Sequence, residues 1–181
     1  MIYLFLADGF EEIEALTPVD ILRRAGAEIK TVSITDTLVV LGAHGIEVKA
    51  DLTLSSINLD DAELLILPGG SVGTDNLKSC DALCRILCEF NVRDGYIAAI
   101  CAAPTILSHL GLLKGRRATC YPSLAEELTQ SGAKYKSDKV VIDKNFITSE
   151  GPGTSADFAF ALCDKLFGKR ETDKLRLSMV F

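Results

Sequence analysis

The sequence predicts an α/β fold in which helices cover both faces of a mostly parallel sheet. Short runs of consecutive apolar residues alternate along the chain with longer segments of helical periodicity. The apolar runs lack polar alternation, which is typical of strands that are covered on both sides. The chain has 181 residues, a length that suits one hydrophobic core, so we expect residues 1–181 to form a single domain.

The apolar runs predict the strands. Buried strands are expected at residues 2–7, 28–34, 64–67 and 96–100, with a further short strand at 117–120. Two β-prone pieces flank a glycine-bearing turn within residues 37–49, and two more flank a polar turn within residues 140–148. Each of these two pairs predicts a β-hairpin.

Helices are predicted where apolar residues recur every three to four positions. They are expected at residues 11–26, 77–90, 103–110, 124–130 and 155–167, and a short amphipathic segment follows from residue 169. Gly26 and Gly168 follow the first and last of these helices as stop signals. Pro18 lies inside the first helix and predicts a kink or a broken first turn.

Charge and hydropathy disfavour several functional classes. The chain has 19 basic and 25 acidic residues and a net charge of −6, which argues against nucleic-acid binding. No apolar run approaches the ~20 residues that cross a bilayer, and the apolar start lacks the basic leader of a signal peptide. Six cysteines are too few for a disulfide scaffold. We therefore expect a cytoplasmic protein with reduced thiols and neither a membrane nor a specific nucleic-acid partner.

Cys101 is the strongest candidate for chemistry, because ligands of parallel α/β sheets bind beyond the carboxyl ends of the strands. It follows the strand predicted at 96–100, and the small residues Ala102 and Ala103 precede the next helix. This pattern is typical of a nucleophile elbow, which would lift the sulfur above the sheet, near helix N-terminal amides that favour a thiolate. The alternative is a buried cysteine that packs as a small apolar side chain.

Three glutamates, Glu11, Glu12 and Glu14, lie just after the first strand. A carboxyl near a thiolate must be protonated, because like charges repel. A neutral carboxylic acid can donate a hydrogen bond to sulfur and later transfer protons. The alternative is a set of solvated acids at a helix N-terminus. We favour this alternative for Glu11 and Glu12 and leave the role of Glu14 open.

Two glycine-rich segments follow predicted strands. Residues 68–73 read PGGSVG and match neither a dinucleotide-binding nor a phosphate-binding motif. We expect this backbone to approach a neighbouring segment closely and to offer N–H groups to an oxyanion. Residues 151–155 read GPGTS, and we expect Thr154 or Ser155 to cap the following helix.

The two histidines are poorly placed for a catalytic triad. His109 lies about two helical turns after Cys101 and should point away from the sulfur, and His44 lies on a hairpin. Ala102 stands where some thiol enzymes have histidine. A protease-like Cys-His pair is therefore disfavoured.

The remaining cysteines are interpreted mainly as packing residues. Cys80, Cys84 and Cys88 repeat every four residues, but one helix face cannot close a tetrahedral metal site alone, so we place them at the margin of the core. Cys163 belongs to the apolar pattern of the last long helix. Cys120 ends a predicted strand and could lie near Cys101 as a resolving thiol. We expect no metal and no organic cofactor.

Five motifs together are specific to a known family. They read ADGFEEIE at 7–14, PVD and RRAG within 18–26, LPGG at 67–70, AAICAAP at 98–104 and TSEGPGTS at 148–155. With these motifs the chain resembles the ThiJ/PfpI superfamily, within the DJ-1-like branch that includes the bacterial YajL proteins. The resemblance covers essentially the whole chain.

The resemblance implies a flavodoxin-like three-layer α/β sandwich that forms a homodimer. It implies that Cys101 is an oxidation-sensitive nucleophile, that Glu14 is its protonated partner, and that the amides of Gly70 and Ala102 bind an oxyanion. Family members are described as glutathione-independent glyoxalases, as deglycases that act on methylglyoxal adducts, and as redox-regulated chaperones. Older descriptions connect the branch with thiazole monophosphate synthesis for thiamine, or with proteolysis.

One position departs from many DJ-1-type relatives. They have a histidine where this chain has Tyr121, although the YajL branch lacks that histidine too. A phenol can donate a hydrogen bond but is a poor base at neutral pH, so Glu14 would have to move protons alone. The resemblance also places His44 near the dimer interface, from which it could approach the partner's site.

Three functions compete. In the first, the Cys101 thiolate attacks a small 2-oxoaldehyde or its adduct with protein, Glu14 moves protons, and hydrolysis releases a lactate-like product. In the second, Cys101 oxidises to a sulfenic or sulfinic acid, and the oxidised dimer protects client proteins. The third is the thiazole role, which no residue of the sequence supports. We favour the enzyme, acting on small carbonyl compounds or glycated proteins.

Overall fold

The strands of the protein form one large sheet and two small ones. A computed structural model describes all of residues 1–181. The strands are β1 (Ile2–Leu6), β2 (Ile29–Ser33), β3 (Val39–Leu41), β4 (Glu47–Lys49), β5 (Leu52–Thr53), β6 (Leu64–Leu67), β7 (Tyr96–Ile100), β8 (Arg117–Ala118), β9 (Lys134–Tyr135), β10 (Val140–Asp143) and β11 (Phe146–Ser149). The large sheet has seven strands in the order β10-β11-β7-β6-β1-β2-β5. Within this large sheet only the β10–β11 pair is antiparallel, so the predicted mostly parallel α/β sheet is confirmed.

The helices cover both faces of this sheet. They are α1 (Glu12–Arg24), α2 (Ser71–Lys78), α3 (Asp81–Val92), α4 (Pro104–His109), α5 (Ala125–Gln130), α6 (Ser155–Phe167) and α7 (Lys169–Ser178). One apolar cluster packs α1 and α6 against one face of the sheet. A second cluster packs the four helices from α2 through α5 against the other face. Each cluster contains 21 buried residues. Successive residues of β1 alternate between the two clusters, because strand side chains point to opposite faces. The result is a three-layer sandwich.

Two helix predictions need correction. The helix predicted at 77–90 is two helices, α2 and α3, and α2 begins six residues earlier than the expected start. The break falls at Ser79 and Cys80, where Cys80 adopts an extended backbone and precedes α3. The helix α1 runs unbroken through Pro18, contrary to the predicted broken first turn.

Both predicted hairpins are present, as β3–β4 and β10–β11. The short parallel pairs β2–β5 and β8–β9 were not predicted as pairs, because two-residue strands carry no readable periodicity. The β3–β4 hairpin lies against the loop between β1 and α1, where Gly9 N–H donates to the Leu41 carbonyl at 2.7 Å and Ala43 N–H donates to the Phe10 carbonyl at 2.9 Å. No helix has the length and apolarity needed to cross a lipid bilayer.

Candidate active site

The carboxyl ends of four adjacent strands bring the candidate residues together. β11, β7, β6 and β1 are neighbours in the sheet. Gly151 follows β11, Cys101 follows β7, Gly69 and Gly70 follow β6, and the segment containing Glu14 follows β1. The chemistry predicted from separate motifs therefore converges at one edge of the sheet.

Cys101 lies on a sharp bend between β7 and α4. Its φ is +64°, in the left-handed region that a residue with a side chain rarely adopts. Its N–H donates to the Ser149 carbonyl at 2.9 Å, and its carbonyl accepts from the Tyr121 N–H at 2.7 Å. Two neighbouring segments thus hold the bend in place, and the side chain remains half-buried. Such strain, maintained by its surroundings, is typical of functional sites.

Glu14 extends from the first turn of α1 into the interior and is fully buried. Its Oε2 accepts a hydrogen bond of 2.8 Å from the Gly69 N–H. Its Oε1 accepts no hydrogen bond from any N–H or O–H group of the protein. A buried oxygen without such a donor is costly. The Glu14 carboxyl also interacts with the Cys101 side chain, and each group shifts the pKa of the other.

Gly69 packs tightly against both the carboxyl of Glu14 and the side chain of Cys101. A Cβ atom on Gly69 would lie 2.6 Å from Glu14 Oε2 and 2.7 Å from Cys101 Cβ, so only glycine fits between them. Gly70 has a φ of +91°, and a Cβ there would lie 2.7 Å from the Glu11 nitrogen. The close backbone approach expected for the PGGSVG segment is therefore present.

Replacing Gly69 by alanine should disrupt the Glu14–Cys101 pair. The added methyl group has to displace the carboxyl or the cysteine, and overpacking of this kind costs about 1–3 kcal/mol. We expect a lower urea midpoint and a changed rate of Cys101 alkylation. Gly153→Ala is the matched control, because a Cβ there meets no atom within 4 Å. Equal behaviour of the two variants would contradict the packing argument.

Glu14 and Cys101 titrate as a coupled pair. Burial is the main cause that raises the pKa of Glu14 to about 7. Burial and the neighbouring Glu14 raise the pKa of Cys101 to about 12, whereas the amides of Gly70 and Ala102 lower it. The net shift is upward, contrary to the expectation that helix amides would favour the thiolate by themselves. At a pH between the pKa values of these two groups, the pair carries a single negative charge, which the carboxyl and the sulfur share.

The backbone N–H groups of Gly70 and Ala102 interact favourably with the Cys101 thiolate and so lower the pKa of the thiol. Gly70 immediately precedes α2, so its amide belongs to a helix N-terminus, where the helix dipole also favours negative charge. These amides, from two different strand ends, can stabilise an anion at or beside Sγ.

An open cavity of about 460 Å³ gives access to Cys101. Tyr121 lines it and is 46% exposed, whereas neither His44 nor His109 is among the lining residues. Asp75, Lys78 and Glu127 also line it, from α2 and α5, and sequence reasoning missed all three. A second cavity of about 470 Å³ lies between α1, α6 and α7, and its one cysteine, Cys163, is buried.

Glu12 and Glu11 differ from the expectation that both are solvated. Glu12 is buried and accepts from the backbone N–H of His44 at 2.7 Å, and its other oxygen lies 2.7 Å from His44 Nδ1. Glu11 is half-buried, 3.6 Å from the same nitrogen. The hairpin supplies the polar partner that makes burial of Glu12 tolerable. The hydrogen bond with Glu12 raises the pKa of His44.

Glu11, Glu12 and His44 also place one ligand atom each within 4.8 Å of one another. Both oxygens of Glu12 are already engaged by His44. We therefore interpret the cluster as an ion-pair network that ties the β3–β4 hairpin to α1.

The other residues singled out from the sequence lie outside the cavity and contribute to packing or to local hydrogen bonds. Cys120 is buried in the core and does not line the cavity, although the next residue hydrogen-bonds to Cys101. Thr154 Oγ1 contacts the Gly151 N–H and Ser149 Oγ. Contrary to expectation, its side chain makes no capping hydrogen bond to α6. All six cysteines are unpaired. Cys80, Cys84 and Cys88 are half-buried, which agrees with a position at the core margin.

Comparison with known proteins explains this arrangement. The sequence of residues 1–165 matches that of the DJ-1/PfpI family. The chain belongs to the DJ-1/PfpI family. It is 37% identical to Protein DJ-1 homolog A of Arabidopsis thaliana over 171 residues, which are 94% of this chain but 44% of that protein. The chain thus spans less than half the length of that DJ-1 relative.

Other DJ-1/PfpI proteins match over most of their own length. The chain is 34% identical to the glutathione-independent glyoxalase DJR-1.2 of Caenorhabditis elegans, over 91% of this chain and 87% of that protein. It is 33% identical to the deglycase PfpI of Pyrococcus furiosus, over 83% of this chain and 90% of that protein. The oxidized DJ-1 structure of Toxoplasma gondii superimposes with a TM-score of 0.94 at 31% identity, covering 99% of this chain and 97% of the other. The flavodoxin-like DJ-1 fold is therefore confirmed.

Proposed function

We propose that this protein is a cysteine-dependent enzyme that converts small 2-oxoaldehydes, or their adducts with proteins, into hydroxy acids. The observation that carries the proposal is the convergence of three features on Cys101. These are the strained elbow, the buried Glu14 carboxyl with one free oxygen, and the two amides directed at the sulfur. Relatives named as a glyoxalase and a deglycase support this class of reaction.

The first chemical step forms a carbon–sulfur bond. The shared proton resides on Glu14 when Cys101 reacts as the thiolate, and Sγ adds to the aldehyde carbon. The carbonyl oxygen becomes an alkoxide, which the Gly70 and Ala102 amides stabilise until Glu14 protonates it. The product is a hemithioacetal, and no electron leaves the substrate–enzyme pair.

The second step moves a proton between neighbouring carbons. The Glu14 carboxylate removes the proton from the carbon bonded to sulfur and delivers it to the oxygen of the adjacent carbonyl, which gives an enediol. It then takes the hydroxyl proton on the sulfur-bonded carbon and delivers it to the adjacent carbon. The result is a thioester of a 2-hydroxy acid. Water then cleaves the carbon–sulfur bond, which releases lactate from methylglyoxal and returns the thiol.

Turnover of methylglyoxal by the purified protein tests the proposal. Lactate formation should fall in proportion to the fraction of Cys101 that iodoacetamide has alkylated, as measured by peptide mass spectrometry. Prior incubation with methylglyoxal should slow that alkylation. Lactate formation that persists after complete alkylation of Cys101 would refute the mechanism.

A redox sensor is the second candidate, and the same site favours it. Oxidation of Cys101 to a sulfinic acid adds two oxygens to the sulfur, near the amides of Gly70 and Ala102 and near the Glu14 carboxyl, which can donate a proton to them. The solved relative from Toxoplasma gondii is described as oxidized.

Graded peroxide treatment tests the sensor. Two peroxide molecules each transfer one oxygen to sulfur and leave as water, so Cys101 should gain about 32 Da before any other cysteine reacts. Cys88, a half-buried thiol outside the site, is the internal reference. Simultaneous oxidation of both residues would remove the sensor function.

The homodimer and the thiazole role stay predictions. Exposed large apolar side chains on α1 and the neighbouring β3–β4 hairpin are consistent with a self-association surface; they are Ile13, Leu16, Val39, Leu41 and Ile46. No feature of the site is specific to thiazole chemistry.

A further inference from the structure

The cavity above Cys101 is predominantly acidic. Its charged lining residues are the carboxylates of Glu11, Asp75 and Glu127 and the single ammonium of Lys78. That ammonium lies 3.5 Å from Glu127 Oε1, so the two charges offset each other, and Glu11 and Asp75 leave the lining with a net negative charge. Above about pH 7, the Glu14–Cys101 pair adds another negative charge at the floor.

Other nearby groups do not reverse this balance. His44 faces Glu11 from the β3–β4 hairpin at 3.6 Å, but it is already paired with Glu12. Even with His44 protonated, carboxylates outnumber cations around the sulfur. A cleft with walls of one charge sign changes the local concentration of charged reactants by about tenfold or more.

The backbone amides favour negative charge only over a short range. The Gly70 and Ala102 N–H groups act on the sulfur itself, since they lower the pKa of the Cys101 thiol, and the influence of a helix dipole is confined to its first turn. Asp75 and Glu127 are exposed and therefore lie towards the opening. Negative charge is thus stabilised at the reacting carbonyl oxygen and opposed elsewhere on the reactant.

We propose that the carboxylates of Asp75 and Glu127 select the reactant of Cys101 by charge, admitting neutral or cationic carbonyl compounds and excluding anionic ones. The excluded class contains 2-oxo acids and phosphorylated aldehydes. The admitted class contains uncharged 2-oxoaldehydes and carbonyl adducts next to an amine or guanidine. The identity of the reactants as carbonyl compounds rests on the proposed function; the charge selection does not.

Two alkylating agents of similar size and different charge provide the test. Iodoacetamide is neutral and iodoacetate is anionic, and their rates with Cys101 can be divided by their rates with N-acetylcysteine. We expect the normalised rate with iodoacetamide to be about ten times the normalised rate with iodoacetate at low salt. The ratio of the two rates should approach 1 as salt screens the charges. The double variant Asp75→Asn, Glu127→Gln should lose most of this preference.

Glu126→Gln is the matched control, because Glu126 lies on the same helix, is exposed, and does not line the cavity. It should retain the preference of the unmodified protein. A normalised ratio near 1 in the unmodified protein would overturn the proposal, as would a double variant that keeps the full preference.

Turnover separates this proposal from the proposed function. A strong iodoacetamide preference without methylglyoxal turnover would refute the enzyme and leave the charge selection intact. Methylglyoxal turnover with equal normalised rates for the two alkylating agents would refute the charge selection and leave the enzyme intact. If both hold, glyoxylate should be a much poorer substrate than methylglyoxal, and the double variant should narrow that difference.

Discussion

Replacing Cys101 by serine should lower kcat/KM for methylglyoxal by at least about a thousandfold. The hydroxyl occupies nearly the same position on the elbow, but its proton is held far more tightly than that of a thiol. Glu14 therefore cannot generate the nucleophile. Purified Cys101→Ser and unmodified protein should be compared by lactate formation at several substrate concentrations.

Cys88→Ser is the matched control for this loss. Cys88 is also half-buried, but it lies on α3 and outside the cavity. It should retain nearly full turnover. A Cys101→Ser protein with more than a tenth of the unmodified activity would show that the nucleophile lies elsewhere.

Replacing Glu14 by glutamine should reduce turnover by about 10²–10⁴-fold and should also change how stability depends on pH. The amide can still accept from the Gly69 N–H, but it cannot move protons. In the folded protein the carboxyl has a pKa of about 7, raised from 4.5 mainly by burial. The folded state therefore binds the proton more tightly than the unfolded state.

The direction of the stability change follows from this difference in proton affinity. The stabilisation from the bound proton is complete below pH 4.5 and is lost as the pH rises towards 7. Relative to Glu14→Gln, the unmodified protein should lose about 3 kcal/mol of unfolding free energy across that interval. Urea unfolding of both proteins at pH 4.5 and pH 8 measures this difference.

The exposed Glu126→Gln substitution should show no such pH dependence relative to the unmodified protein. A Glu14→Gln protein whose stability stays parallel to that of the unmodified protein between pH 4.5 and 8 would mean that Glu14 is ionised throughout. The proton shuttle proposed for it would then have no neutral form to use.

The sequence was sufficient for the features that depend on local pattern. The bend at Cys101 follows from a buried strand, small residues and a helix start, and the structure confirms its geometry with a φ of +64°. The parallel sheet follows from unbroken apolar runs. The contact of Glu14 with the site was available only through family resemblance, because nothing within α1 distinguishes it from Glu11 and Glu12.

Features that depend on contacts between distant segments were not predictable. The burial of Glu12 requires His44, which is 32 residues away on the hairpin. Asp75 and Glu127 line the same cavity only because α2 and α5 flank the same strand ends. The break between α2 and α3 was hidden because apolar residues continue with helical spacing across it.

The left-handed backbone of Cys101 lowers the stability of the fold but places the reactive sulfur at the elbow. Glycine adopts this conformation freely, whereas a side chain there costs on the order of 1–2 kcal/mol. A glycine at this position would relax the elbow and remove the sulfur together. Laboratory evolution for heat resistance alone is therefore expected to drift towards an inert protein, unless each round also screens for the thiol's reactivity.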